Sequence, residues 1–411
     1  MAGKQTTEQQ NELADKLGSL AAELAEASNA VRAGKLSLQT DVAQKLKLIG
    51  TTKATLDALQ TSQDLFMDNM VQFSRLVALR VFLKWKAFDA IPPTGSITYA
   101  DLAAKVNADV EIITRLAWVL VGDGTLKQEN GDKVAHTPKS QLYQVPAMQS
   151  MAIFGFDFFL KTMVYMPGYF DEFGRKTPTD RLNTVVACAA GFPGTPVWGV
   201  LKQMPELMAH FTRVMTVFES SYPTLGAYDI SWLVDAAHRA PPGRVALVDV
   251  GGSKGHSLKK IHAEVPNFPL ERCVLEDLEE VLALAATEDD EQLRPVKRVV
   301  TDFHKEQPVK GALVYYIRRC LHDYSDAESV GILKHLEAAM ASDSKLLIVE
   351  HVMSDPPSPF AASSDLYMAC LSGKERTLKN FEAITSQAGL KIASVYRNPG
   401  VDAAIVECVK A

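Results

Sequence analysis

The sequence predicts an α/β protein: a doubly wound domain, with a mostly parallel sheet and an antiparallel last strand, follows an all-helical/winged-helix domain. Three observations predict this fold. From Arg244 onward, short apolar runs alternate with helical patterns, as in parallel sheets that are buried on both faces. The first run ends in a cluster of glycines, Gly251, Gly252 and Gly255. Upstream, a helix, a turn, a second helix and a hairpin follow one another in the order of a winged helix.

Length and composition indicate a globular protein of two domains. At 411 residues the chain is long for a single core, and its charged content of 22% is ordinary. The net charge of -6 argues against a nucleic-acid partner held by phosphate contacts. The five cysteines lack CxxC spacing, so we expect reduced thiols and no zinc site. Because no signal-peptide core and no apolar run of spanning length is present, we expect a soluble, cytoplasmic protein without a membrane partner.

The N-terminal domain is predicted to span residues 1–145. Leucines with near-heptad spacing between about residues 8 and 32 predict a helix with one apolar stripe. This stripe packs either on its own domain or across a dimer, and the spacing favours neither. Residues 65–91 are apolar on nearly all sides, which predicts a buried helix pair.

The predicted winged helix has clear boundary signals. Thr98 is placed to cap its first helix, and Asn130-Gly131 is placed to turn its hairpin. A DNA-reading helix needs Lys or Arg facing phosphates. The two helices contain Lys105 and Arg115 as their basic residues, against three acids. We therefore interpret this module as a scaffold.

Residues 146–236 are predicted as a helical linker that lines a substrate pocket. The segment is rich in Phe, Met and Tyr, which are more often core residues but which also suit a planar apolar ligand. Candidate lining residues are Phe154, Phe158, Met163, Met166, Met215 and Phe218.

Residues 237–411 are predicted as the α/β domain. Its strands lie in the runs VALVDV, RCVLED, KRVVTDF, ALVYYIRRCL, KLLIVEHV, KIASVYR and AAIVECVK. In such a sheet, ligands bind beyond the carboxyl ends of the strands. The glycines lie at such an end, although their spacing is not GxGxxG. Asp277 ends the second strand and suits a ribose diol, and Asp302 follows the third strand beside Phe303.

These strand ends also carry a family resemblance. The motifs LVDVGGSKG, LEDLEEV, TDFH, YYIRRCLHDYSD, LLIVEHV and SGKERT, in this order, resemble those of class I S-adenosylmethionine-dependent O-methyltransferases. The similarity is closest to the plant caffeate-type and fungal secondary-metabolite enzymes. It implies a Rossmann-like methyltransferase domain, S-adenosyl-L-methionine as cofactor, and a homodimer formed through the N-terminal helices.

The resemblance also implies the cofactor-binding residues, which are Gly251, Gly252, Asp277, Asp302, Phe303 and Arg318. Two positions depart from the plant pattern. Arg318 stands where plant relatives have a lysine, and Ser253 replaces the third glycine of a GGG motif. A small serine side chain should be tolerated there.

The resemblance implies that His322 is the catalytic base and that Glu350 and Glu375 hold its ring. A histidine is suited to deprotonating a phenol as it attacks, and a neighbouring acid stabilises the charged ring. No metal is implied. We expect His304, His256 and His351 to be structural, and we expect His351 to point the other way from Glu350 because the two adjoin on a strand.

The function that follows is methylation of a hydroxyl group on an aromatic secondary metabolite, such as a polyketide or alkaloid. Three alternatives stay open. The cofactor could act without transferring its methyl group, in a dehydration or pericyclic rearrangement. The protein could be a winged-helix regulator that senses the cofactor. Methylation could also occur at nitrogen or carbon.

Overall fold

The computed structural model describes residues 7–38, 40–287, 290–398 and 402–411. The chain divides into two compact units, Met1–Gln141 and Leu142–Ala411. The segment 146–236 lies within the second unit.

The first unit is helical with a small sheet. Its elements are α1 (Thr7–Arg32), α2 (Val42–Leu59), α3 (Ser62–Lys84), α4 (Ala87–Ala90), β1 (Ser96–Thr98), α5 (Tyr99–Val106), α6 (Val110–Gly122), β2 (Leu126–Glu129), β3 (Lys133–His136) and α7 (Pro138–Gln141). The strands form an antiparallel sheet in the order β1-β3-β2. The succession of α5, α6 and the β2-β3 hairpin is the predicted winged-helix order.

Local signals explain these boundaries. The Thr98 hydroxyl accepts the backbone N–H of Asp101 at 3.0 Å and so begins α5. In the hairpin, Asn130 and Gly131 adopt φ values of 51° and 78°, which are accessible mainly to Asn and Gly. Helix α1 packs against α2, and its leucines are half-buried there.

The prediction of a buried helix pair over residues 65–91 is wrong for its first half. The C-terminal half of α3 is buried through Ala78, Leu79, Phe82 and Leu83. Its N-terminal half is apolar but exposed in the single chain, since side chains such as Phe66 and Phe73 are 59% and 60% exposed. An apolar pattern reports that a surface avoids water, and a partner chain can cover it as well as the chain's own core.

The second unit begins with helices. They are α8 (Pro146–Phe154), a π-helical segment (Gly155–Leu160), α9 (Lys161–Phe173), α10 (Val185–Ala189), α11 (Val197–Lys202), α12 (Pro205–Ser221) and α13 (Trp232–Arg239). The first three run without a break, and π-helical segments inside α-helices occur frequently at functional sites.

The α/β part alternates strands with helices. Its elements are β4 (Leu247–Val250), α14 (His256–Glu264), β5 (Cys273–Asp277), α15 (Glu279–Thr287), β6 (Lys297–Val300), β7 (Val314–Arg318), α16 (Asp326–Ala339), β8 (Lys345–Met353), α17 (Pro359–Ala369), β9 (Arg376–Thr377), α18 (Leu378–Gln387), β10 (Leu390–Arg397) and β11 (Ala403–Lys410). Helix α17 is absent from the sequence prediction, although Ser358 at the N-cap and Pro359 at the first helical position signal it.

The sheet has the order β10-β11-β8-β7-β4-β5-β6, with β9 beside β8. The strands from β8 to β6 are parallel, and the last strand, β11, pairs antiparallel with both β8 and β10, as predicted. Buried residues of alternate strand positions enter one apolar cluster on each face, for example Leu247 on one and Val248 on the other. The predicted α/β fold class is confirmed.

This strand order fixes where a site can lie. From β4 the chain moves outward to β5 and β6, and then crosses back to β7 and β8 on the other side of β4. The switch point therefore lies between the carboxyl ends of β4 and β7, where open α/β sheets bind ligands. The glycine turn follows β4, and His322 follows β7.

Candidate active site

The glycine turn after β4 is shaped by close approaches of neighbouring side chains. A Cβ on Gly252 would lie 2.5 Å from the carboxyl group of Asp249 and 2.6 Å from Cδ1 of Leu275. Gly251 has φ +65°, and a Cβ there would lie 3.0 Å from Sγ of Cys320 and 3.2 Å from the Phe303 ring. Gly251 therefore needs glycine for its conformation and its contacts, and Gly252 needs it for its contacts. Cys320 thereby brings the segment before His322 against the turn.

The acid at the end of β5 contacts the same turn. Oδ2 of Asp277 accepts the backbone N–H of Ser253 at 2.8 Å, and Oδ1 accepts that of Leu278 at 2.8 Å. Ser253 itself adopts φ 52°. Burial raises the pKa of Asp277, although these two hydrogen bonds oppose the increase.

The loop after β6 presents Asp302 and Phe303. Oδ1 of Asp302 accepts the backbone N–H of His304 at 3.1 Å, and Lys305 lies 3.1 Å from Oδ2. Burial raises the pKa of Asp302, but these contacts outweigh it and lower the pKa below its usual value. The Phe303 ring packs edge-on against Tyr324, with centroids 5.8 Å apart.

Two buried polar groups near the turn have unused hydrogen-bonding capacity. Within the described residues, neither Nη1 of Arg318 nor Oδ2 of Asp249 has a hydrogen-bond partner. Burial raises the pKa of Asp249 to about 7, against the lowering effect of Arg318. Buried polar atoms are seldom left unpaired unless a ligand or water completes them.

These features fit S-adenosylmethionine. The glycine turn lies at the carboxyl end of β4, and strand-end acids beside it are available for a ribose. The unpaired Arg318 nitrogen offers a donor beside them. The structure thus gathers Gly251, Gly252, Asp277, Asp302, Phe303 and Arg318 at the carboxyl edge of the sheet.

His322 lies in a short 3-10 turn after β7 and is surrounded by carboxylates. Its Nδ1 is 3.3 Å from Oε1 of Glu375 and 4.0 Å from Oε2 of Glu350. Its Nε2 is 3.7 Å from Oδ1 of Asp323. Burial lowers the pKa of His322, but Glu350, Asp323 and Glu375 outweigh it and raise the pKa to about 9. The surrounding carboxylates therefore stabilise the protonated form of the ring.

The two predicted glutamates have different tasks. Oε1 of Glu350 accepts the backbone N–H groups of Cys320 and Leu321, each at 2.9 Å, and so fixes the turn that carries His322. Burial raises the pKa of Glu350. Burial also raises the pKa of Glu375, but its contacts with His322 and His351 hold that pKa well below its usual range. Glu375 is the firmly ionised partner of His322.

The segment that carries Glu375 is hydrogen-bonded to the turn that carries His322. The backbone N–H of Lys374 donates to the carbonyl of His322 at 2.8 Å, and a Cβ on Gly373 would collide with that carbonyl. Arg376 is 1% exposed and donates to the carbonyls of Leu321 and Tyr324 at 2.8 and 2.9 Å. Sequence reasoning missed Arg376, whose signal is its place inside the SGKERT motif.

Two further residues near His322 and His351 were not predicted from the sequence. Asp323 follows His322 directly, and burial raises the pKa of its carboxyl group. The Tyr222 ring lies 5.3 Å from the ring of His351, and its buried hydroxyl has no hydrogen-bond partner within the described residues. No motif marks Tyr222.

His351 contacts a predicted site residue although it lies on the opposite face of β8 from Glu350. Its Nδ1 lies 3.4 Å from Oε1 of Glu375, the same atom that His322 contacts. Alternation places Glu350 and His351 on opposite faces of β8, but Glu375 comes from outside the strand and lies within reach of both His322 and His351. His304 contacts Arg181, with Nε2 and Nη1 3.3 Å apart, and its ring packs against Tyr324.

The predicted substrate-lining residues differ in how deeply they are buried. Phe154, Phe158 and Met166 are buried in an aromatic cluster of the second unit, which is a core role. Met163 and Met215 lie at its partly buried edge, and the side chain of Phe218 lies outside the described residues.

Helix α17 contacts both this aromatic cluster and Glu375. Ser364 donates to Oε1 of Glu375 at 3.0 Å, while the Tyr367 ring lies 4.7 Å from that of Phe159. Residues three apart share a helix face, so one face of α17 contacts both regions.

The described residues contain neither a candidate metal site nor a helix suited to cross a membrane. No group of three or more His, Cys, Asp or Glu side chains in that part of the chain is arranged to hold a metal ion. Among the helices with described residues, none combines the length and apolarity needed to cross a membrane.

Comparison with known proteins agrees with this architecture. Residues 192–391 match the model of an O-methyltransferase domain, and residues 67–146 match that of an O-methyltransferase dimerisation domain. The methyltransferase cfoD of Aspergillus candidus is 34% identical, over 92% of this chain and 96% of its own. The O-methyltransferase kntB of Aspergillus niger is 28% identical, over 87% of this chain and 85% of its own.

A solved structure shares the fold. OxaC in complex with sinefungin and meleagrin superposes with a TM-score of 0.81 at 24% identity, over 95% of this chain and 99% of that one. The chain therefore belongs to the family of S-adenosylmethionine-dependent methyltransferases that combine this O-methyltransferase domain with its dimerisation domain.

Proposed function

We propose that the protein methylates an acidic hydroxyl group of an aromatic natural product, with His322 as general base. The observation that carries this proposal is the buried imidazole at the switch point of the sheet. Its Nδ1 is 3.3 Å from Glu375, and its turn touches the glycine turn through Cys320. A histidine so held is oriented for proton transfer beside the cofactor side of the site.

The charges around His322 assign a task to each ring nitrogen. Because the ionised Glu375 faces Nδ1, that nitrogen carries the proton in the neutral ring, and Nε2 is left to accept one. Asp323, 3.7 Å from Nε2, stabilises the imidazolium that then forms. Glu350 keeps the turn in place through two backbone hydrogen bonds.

The basicity of His322 favours a phenolic or enolic acceptor. With a pKa of about 9, the ring is matched to a phenol, whose pKa is roughly 10, more closely than an ordinary histidine of about 6.5. A higher pKa of the base makes proton transfer from the phenol less unfavourable, and the neutral ring that this step needs becomes more abundant as the pH rises above neutral. An aliphatic hydroxyl group is far less acidic than a phenol and is a poor match.

The residues proposed to hold the cofactor are Gly251, Gly252, Asp277, Asp302, Phe303 and Arg318. When bound, S-adenosylmethionine supplies an activated methyl group on a cationic sulfur. The chain's own residues then align the acceptor and remove its proton. The acceptor is proposed to contact the edge of the aromatic cluster, where Met163 and Met215 are partly exposed.

We extend the proposal to a homodimer formed through the N-terminal unit. The first half of α3 exposes apolar side chains, and the dimerisation-domain match begins within this helix. An apolar face of this kind is typical of a protein interface. Sedimentation of the full chain should give twice the monomer mass, and a monomer at micromolar concentration would contradict this part.

The reaction is tested with S-adenosylmethionine that carries an isotopic label on its methyl group. Wild-type protein and His322→Ala are incubated with a panel of phenols and enols, and labelled products and S-adenosylhomocysteine are measured. Label on an oxygen, lost in His322→Ala, is the expected result. Label on nitrogen or carbon would overturn the choice of acceptor atom. Conversion of a panel member without label transfer would replace methyl transfer by a rearrangement.

A further inference from the structure

Glu375 is shared by two histidines. Its Oε1 lies 3.3 Å from Nδ1 of His322 and 3.4 Å from Nδ1 of His351, and it accepts the Ser364 hydroxyl at 3.0 Å. Its Oε2 is buried and has no hydrogen-bond partner within the described residues. Three polar groups therefore meet at one oxygen while the other is unused.

This crowding weakens each contact. A carboxylate oxygen has two lone pairs, so three donors cannot all be accepted in good geometry. Charge-assisted hydrogen bonds to carboxylates are about 2.7–2.9 Å long. Both imidazole contacts are longer than this, at 3.3 and 3.4 Å. The two rings thus compete for one acceptor.

The position of His351 is well defined. It lies on β8 directly after Glu350, and its ring packs against Tyr222, whose centroid is 5.3 Å away. The same Tyr222 ring also faces Arg319, whose guanidinium carbon lies 5.3 Å from the ring centroid. The His351 side chain is 23% exposed, against 11% for His322 and 2% for Glu375. Of the three, His351 is the group most open to exchange with its surroundings.

We propose that His351 is a positioning residue for the base: by competing for Oε1 of Glu375, it limits how firmly Glu375 holds the ring of His322. The proposal rests on the proposed role of His322. Without His351, the full charge of Glu375 would act on His322, which would bind its proton more tightly. His351 therefore keeps the base able to give up its proton and accept the next one.

Other charged groups face this pair from several elements, and the proposal has to hold in their presence. Glu350 and Asp323 act on His322 directly, and Arg319 acts in turn on both of these acids. The hydroxyl group of Tyr222 is kept protonated because burial, and then Glu350, raise its pKa well above its usual value. Among these groups, Tyr222 has a ring contact with His351 and loses it in a variant at position 351.

The test is a pH titration of the histidine rings by NMR, with ¹³C-labelled Cε1, on the full chain without cofactor. His322→Ala identifies the signal of His322. In His351→Leu we expect the midpoint of His322 to rise by roughly half to one pH unit, the scale for losing one competing polar neighbour. His351→Asn, whose amide nitrogen replaces Nδ1, should return the midpoint toward the wild-type value. His238→Leu, at an exposed position of α13, is the matched control and should change nothing.

An unchanged or lowered midpoint in His351→Leu would overturn the proposal, and His351→Ala gives the same answer if the leucine variant does not fold. Because the titration needs no substrate, it is independent of the proposed reaction. If His322→Ala kept full methyl transfer, the base assignment would fail whatever the titration showed. If only the titration failed, His322 would remain the base and His351 would be a packing residue.

Discussion

The two halves of the candidate site are built on opposite principles. The cofactor half, at the ends of β4, β5 and β6, is shaped by backbone: glycines that admit no Cβ, and acids that mainly accept nearby backbone N–H groups. The base half, at the ends of β7 and β8, is a cluster of ionisable side chains that act on one another. His322 and Glu375, for example, are separated by 53 residues in the chain.

This contrast indicates which half should bind the cofactor and which half should carry out proton transfer. In the cofactor half, the buried Oδ2 of Asp249 on β4 has no hydrogen-bond partner within the described residues, and Nη1 of Arg318 at the end of the neighbouring β7 is likewise unpaired there, so a ligand can complete them. In the base half, carboxylates raise the pKa of His322 to about 9. A group with a displaced pKa is suited to proton transfer. Substitutions in the two halves should therefore separate affinity from turnover.

The largest effect is expected from His322→Ala. Loss of the base should lower kcat by about 10²–10⁴-fold, while S-adenosylmethionine should bind no more weakly than it does to the wild type. Single-turnover kinetics and calorimetry measure the two quantities. A variant that loses cofactor binding but keeps turnover would show that the halves have been assigned the wrong way round.

Asp277→Ala should give the opposite pattern. A carboxylate that bonds a ligand hydroxyl contributes about 1.5–3 kcal/mol, so the cofactor should bind roughly 10- to 100-fold more weakly. At saturating cofactor, kcat should remain near that of the wild type. Asp235→Ala, at an exposed acid of α13, is the control. Equal affinity in Asp277→Ala and in the control would remove Asp277 from the cofactor half.

The smallest effect should connect the halves electrostatically. S-adenosylmethionine is cationic at sulfur and S-adenosylhomocysteine is neutral there, so only the former should disfavour a protonated His322. We expect the titration midpoint of His322 to be about one pH unit lower with S-adenosylmethionine than with S-adenosylhomocysteine. Because the base must be neutral to act, activity should rise with pH through this midpoint. Identical midpoints would mean that the two halves do not sense each other.

Much of the α/β domain could be predicted because its signals are local. Apolar runs, the glycine cluster and the Thr377 cap identify strands, turn and helix start within a few residues of themselves. The antiparallel last pair followed from two runs close in sequence. Helix α17 was missed although Ser358-Pro359 announces it, because the run that follows is weakly amphipathic.

The exposed half of α3 could not be predicted as exposed. Its sequence carries the same apolar character as its buried half, and single-chain reasoning assigns both to a core. Whether such a surface meets its own chain or another is a property of the assembled protein.

By itself, the sequence determined the fold class, the order of the strand ends and the chemical identity of the residues there. Those follow from periodicity and from motifs that each lie within a short stretch. Which side chains share a hydrogen-bonding or ring partner is seen only in the folded protein. The tertiary structure placed His351 on the same oxygen as His322, brought the Tyr222 ring against His351, and anchored the turn through Arg376. Such contacts join residues far apart in the chain, and they depend on distances of a few ångströms that no spacing in the sequence encodes.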